Sequence, residues 1–184
     1  MRYVSIDIET LGLDPDYCDT IEFGAVFDDL VSPIEKLPHF HCYITRPQNK
    51  YRGEAYAMAM HSKILFRIAN RDHGFSYTPY DLLDEVFASW LKDQGFGEDE
   101  KIIVAGKNFA SFDLNFLKKI GFGNKVNYSH RFLDPGSMFV TSYDNAPPSL
   151  KDCLMRAGIN KEIDHTALAD AVDVIKCIRY KLCN

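Results

Sequence analysis

The run YVSIDIET, residues 3–10, sets two carboxylates, Asp7 and Glu9, two positions apart inside an apolar, β-branched stretch. Such a stretch favours an extended strand, in which positions i and i+2 point to the same side with Cα atoms roughly 6.5–7 Å apart. Both charges therefore face one spot. Like charges this close resist joint ionisation unless something positive sits between them. The strand sets no Lys or Arg beside them, so a metal ion is the first candidate.

A chain of 184 residues suits one domain, and no internal repeat, low-complexity tract or Ser/Gly-rich linker divides 1–184. An apolar content of 46%, with 13 Phe and 10 Tyr, is enough for one well-packed core. No stretch approaches the ~20 apolar residues that span a bilayer, and the N-terminus has no secretory pattern, so a cytoplasmic protein without a membrane partner is expected. The five cysteines, Cys18, Cys42, Cys153, Cys177 and Cys183, are odd in number and include no Cys-x-x-Cys pair. They suggest neither a disulfide framework nor a zinc site. The net charge of −5 argues against coating nucleic acid by bulk electrostatics. It does not exclude an enzyme, because carboxylates that recruit divalent cations create a local positive centre for phosphate.

Hydrophobic periodicity predicts an α/β fold with a mixed five-stranded sheet flanked by helices. YVSIDI, TIEFGAVFDD and HFHCYI read as three successive strands in an antiparallel meander. From GEAYAMAMHSKILFRIA the period lengthens toward that of a helix. TPYDLLDEVFASWLKDQG is a stronger helix, with Thr78 as N-cap, Pro79 in the first turn and Gly95 as stop. KIIVAG reads as a short buried strand, SFDLNFLKKIG as a helix and NYSHRFLD as the fifth strand. SLKDCLMRAG and TALADAVDVIKCIRYKL are two further helices.

Asp113 opens a helix just after a buried strand, and Asp170 lies early in the last helix, flanking its apolar stripe. Singly, an Asp early in a helix is a capping or macrodipole residue, and His165 could equally be a solvated loop residue. Their joint order carries more. DIETLGL at 7–13, NFASFDLNFL at 108–117 and HTALADA at 165–171 resemble, in order, the three motifs of the DnaQ-like, or DEDDh, 3′-to-5′ exonucleases. That family includes the proofreading subunit of bacterial DNA polymerase III, ribonuclease T and oligoribonuclease. PPSLKDCLMRAGI is similar to the helix before the third motif in the proofreading subunits. The spacing from Asn108 to Asp113 is instead like that of oligoribonuclease.

The resemblance implies a ribonuclease H-like fold and a metal-dependent exonuclease that releases nucleoside 5′-monophosphates from the 3′ ends of single-stranded DNA. Short RNA is the alternative substrate, and a non-catalytic nucleic-acid-binding module of the same fold the alternative from another class. Two Mg²⁺ or Mn²⁺ ions about 3.5–4 Å apart serve such hydrolysis, and hard cations take oxygen ligands. By the resemblance, Asp7 bridges both ions, Glu9 and Asp170 complete the first, and Asp113 holds the second. His165 is then the general base, with an ordinary pKa near 6.5 that suits the role. Thr166 stands where the sister subgroup has a Tyr. Thr10 and Leu11 would offer backbone N–H groups to the terminal sugar, Leu13 would pack on the base, and Phe112 would line the pocket. Met60 and His61 resemble a segment that approaches the terminal nucleotide, although Met58 and Met60 could equally be core. Asn108 contacts substrate or caps a turn, and Asp134 supports the ligands. The sequence sets neither an oligomeric state nor a protein partner.

Overall fold

The computed structural model describes residues 1–161 and 166–183 of the chain. Its centre is a sheet of six strands: β1 (Tyr3–Thr10), β2 (Thr20–Asp28), β3 (His39–Thr45), β4 (Tyr77–Pro79), β5 (Ile102–Ala105) and β6 (Tyr128–Leu133). They lie in the order β4-β3-β2-β1-β5-β6. β1, β2 and β3 form the expected antiparallel meander, while β5 and β6 add in parallel beside β1. Seven α-helices and two short 3-10 turns accompany the sheet among the described residues, the α-helices being α1 (Ala55–Met60), α2 (Ser62–Asn70), α3 (Leu83–Asp93), α4 (Asp113–Lys119), α5 (Pro135–Phe139), α6 (Leu150–Arg156) and α7 (Ala167–Cys183).

The five-strand expectation is corrected by β4. Tyr77–Pro79 pairs in parallel with Tyr43–Thr45, so Thr78 is a buried strand residue and not a helix cap. Pro79 ends an edge strand, where its missing N–H costs no ladder bond, and α3 starts only at Leu83. Gly95 does follow the helix, at φ 80, in the left-handed region that suits glycine at a helix stop. The single helix expected over 53–69 is two, because His61 has ψ 18 and breaks the helical run between α1 and α2. The helix at Ser149 is as expected, with a capping box in which Ser149 and Asp152 satisfy each other's backbone N–H.

Alternation along β1 divides the protein into two layers. Val4, Ile6 and Ile8 point to one face, where they pack with Phe87 and Leu91 of α3 and Phe116 and Leu117 of α4. On the other face, Tyr3 joins a cluster with Val174, Ile175 and Ile178 of α7. Leu11, at the far end of that same face, joins Ile64 and Ile68 of α2. Asp7 and Glu9 fall between these two apolar clusters, so helices cover the sheet on either side of the acids. No helix among the described residues is long and apolar enough to cross a membrane, and all five cysteines are free thiols.

Candidate active site

Three of the four acids expected to meet do so closely: carboxylate oxygens of Asp7, Glu9 and Asp170 all lie within 4.8 Å of one another. β1 delivers the first two and the first turn of α7 the third, with the Asp170 amide bonded to the Thr166 carbonyl at 3.0 Å. Asp113, at the start of α4, is buried beside them. β5 pairs with β1 only at Val4 and Ser5, which leaves the edge of β1 beyond it open. The Asp113 carboxylate fills that gap, accepting hydrogen bonds from the Ile8 backbone N–H and from its own.

Burial holds Asp7 well above the usual carboxylate range, and the nearby charges of Asp113, Asp170, Glu9 and Glu22 add to it. Glu9 is pushed up to about 9, by burial first and then by Glu22, Asp170 and Asp113. Burial raises Asp113 to about 7 against the lowering effect of its two N–H donors. Crowded carboxylates of raised pKa are poor neighbours for one another and a good fit for a cation. All the donors are hard oxygens, which suits a hard divalent ion such as Mg²⁺ or Mn²⁺ bound through carboxylates.

Two participants escape the sequence motifs. Glu22 lies directly across the β1–β2 ladder from Glu9 and is 1% exposed. Its carboxylate meets His41 Nε2 at 2.6 Å and accepts from the Ala167 N–H of α7 at 3.4 Å. The alternation of TIEFGAVFDD places Glu22 on a strand, but only the pairing register sets it against Glu9. His41, on β3, stands one further strand away and has no local signature at all.

The remaining expected residues divide. His61 is buried, with Nε2 3.4 Å from a Glu9 oxygen. Leu13 and Met60 are exposed, at 75% and 51%, on the segments that follow Glu9 and precede His61. Phe112 is half-buried, its ring 5.1 Å from that of Phe116. The Thr10 hydroxyl donates to the Gly12 carbonyl. Leu11 does not offer a free N–H: its amide donates to the Asp19 carbonyl at 2.9 Å and its side chain is fully buried. Asn108 sits at φ 60 and donates its N–H to Asp134, which also caps α5. Met58 packs on the cluster under α2 while Met60 stays outside. His165 lies outside the described residues.

A six-stranded mixed α/β sheet flanked by helices defines the class of fold, and solved structures share that fold. Escherichia coli exonuclease I in complex with a dT13 oligonucleotide matches with a TM-score of 0.65 over 97% of this chain and 40% of that one, at 16% identity. The zinc-bound form of the E. coli exonuclease I–single-stranded DNA complex gives 0.66 over 97% and 39%, also at 16% identity. A product-bound exonuclease I gives 0.64 over 97% and 42%, at 14% identity. The fold is therefore the ribonuclease H-like fold of that exonuclease, and this chain spans about two-fifths of the length of those chains. No protein-family model matches the sequence, and no curated protein does.

Proposed function

We propose that this protein is a metal-dependent 3′-to-5′ exonuclease that hydrolyses single-stranded DNA ends to nucleoside 5′-monophosphates. The observation that carries the proposal is the convergence of Asp7, Glu9 and Asp170, with Asp113 beside them, from a strand and two helices of an exonuclease fold. Asp7, Glu9 and Asp170 would hold one divalent ion, and Asp7 with Asp113 a second. Bound there, such ions lower the pKa of a water and neutralise the charge that builds on a phosphodiester.

The chain's own residues supply the rest. Asp113, tied to the Ile8 N–H, keeps its carboxylate fixed beside β1. The buried His61 bounds the acidic cluster on the α1–α2 side. Leu13 and Met60 present apolar surface next to it, suited to pack on a terminal base without reading its identity. His165, five positions before Asp170, is assigned the proton from the attacking water.

The solved structures of similar fold hold single-stranded DNA, product or zinc, and they support DNA as substrate class. A second reading, cleavage of short RNA, is favoured by the spacing from Asn108 to Asp113. One assay separates them: turnover of 5′-labelled DNA and RNA 5-mers in Mn²⁺ or Mg²⁺. DNA shortened stepwise from its 3′ end, activity lost in EDTA, and loss in Asp7→Asn are the expected results. Faster turnover of RNA would replace the substrate, and full activity in Asp7→Asn would end the mechanism.

A further inference from the structure

We infer that Glu22 and His41 are positioning residues: together they seat the first turn of α7 on β2 and so aim Asp170 at Asp7 and Glu9. This inference rests on the function proposed above. Asp170, 161 positions after Glu9 in the sequence, is useful to the cluster only if the start of its helix is held in register with β1. Two adjacent features of β2 do this. Gly24 brings backbones into direct contact, since a Cβ there would lie 2.4 Å from the Leu168 nitrogen and 2.5 Å from the Ala167 carbonyl carbon. Glu22, two residues earlier on the same face, accepts from the Ala167 N–H.

That amide is one of the donors a helix start leaves without an intrahelical partner, and a carboxylate there also matches the positive end of the helix dipole. The Glu22 side chain is itself fixed by His41, which reaches it from β3 at 2.6 Å. Gly24 pairs with His41 across the β2–β3 ladder, so the three residues form one platform under α7. A buried carboxylate opposite Glu9 adds repulsion to an acidic site already crowded. Its hydrogen bonds to α7 and β3 give it a structural task that an apolar residue there could not perform.

The test compares Glu22→Ala, Glu22→Gln and His41→Ala with the wild-type protein. Three quantities are read: amide hydrogen exchange at Ala167 and Asp170, Mn²⁺ affinity, and kcat against KM on a DNA 5-mer. Glu22→Ala should speed exchange at both amides about tenfold, weaken Mn²⁺ binding about 10- to 100-fold, and lower kcat with little change in KM. Glu22→Gln keeps an acceptor for the Ala167 N–H while losing the charge, and should restore exchange protection. Unchanged exchange in Glu22→Ala would overturn the inference. So would a Glu22→Gln variant as unprotected as Glu22→Ala, because charge rather than the bond would then be at work.

If Glu22→Ala does not fold, His41→Ala decides: faster exchange at Ala167 supports the inference and wild-type protection overturns it. A wild-type protein that binds Mn²⁺ but cleaves neither DNA nor RNA removes the proposed function, and exchange and Mn²⁺ affinity still judge the positioning. If it binds no Mn²⁺, exchange alone does so.

Discussion

Glu9 lies between a fixed carboxylate on the neighbouring strand, Glu22, and the mobile choice of its own protonation. Its pKa in the folded protein stands at about 9 against 4.5 for the free side chain. Between those values the folded state binds more protons than the unfolded one, so stability falls as pH rises. Asp113, at about 7 from 3.8, adds the same sign over a narrower window. The protein kept in EDTA should therefore melt at a lower temperature at pH 8.5 than at pH 5.5, and a flat profile would show that the acids are less crowded than they look. Glu9→Gln replaces a carboxyl that folding must protonate at pH 8 with a neutral group of the same shape. It should raise the melting temperature of the metal-free protein at pH 8, by about 2–4 °C for each kcal/mol of that cost relieved. The pair Asp7 and Glu9 is legible in the sequence because a strand's period is two. Glu22 and His41 are not, since their meeting depends on ladder register across three strands.

At the scale of elements, α7 is fastened at both ends. Its start rests on Glu22 and Gly24, and farther along it Arg179 reaches back to Asp28 at the end of β2. Asp28 is fully buried, accepts from the Tyr3 hydroxyl at 2.6 Å, and takes Arg179 Nε at 3.0 Å. Burial alone would raise its pKa, but the Arg179 and Tyr3 hydrogen bonds bring it below the usual value. Removing only Arg179 would strand a buried charge. Arg179→Met should lower unfolding free energy by about 3–5 kcal/mol, and adding Asp28→Asn should recover much of it. Urea denaturation of the single and double variants measures this, and a single variant of wild-type stability would show the pair to be dispensable. The sequence shows α7 by its apolar spacing and β1 to β3 by their alternation. It hides β4, because Thr78 and Pro79 carry the local chemistry of a helix start while tertiary pairing with β3 takes them into the sheet. It likewise hides the break at His61, where a buried contact with Glu9 prevails over an unbroken helical period.

For the whole molecule, the acidic cluster links folding to protons and, under the proposed function, to cations. A net charge of −5 gives the chain no general attraction for phosphate, so under the proposed function the affinity for nucleic acid has to be local and cation-dependent. Carboxylates bind a divalent ion only when ionised, and Glu9 at about 9 and Asp113 at about 7 are partly protonated around neutral pH. Mn²⁺ binding should therefore release protons, which calorimetry in two buffers of different ionisation enthalpy reads directly at pH 7. It also follows that the cation stabilises the fold by mass action, by about 2.7 kcal/mol at a concentration 100 times its dissociation constant. The two effects act together: as pH rises the metal-free protein weakens while the ion binds more tightly. The increase in melting temperature on adding Mn²⁺ should then grow from pH 6 to pH 8.5. Asp7→Asn should abolish most of that growth, because one of the converging carboxylates is gone while the fold's three apolar clusters are untouched. An increment independent of pH, or one retained in full by Asp7→Asn, would place the cation somewhere other than between β1 and α7.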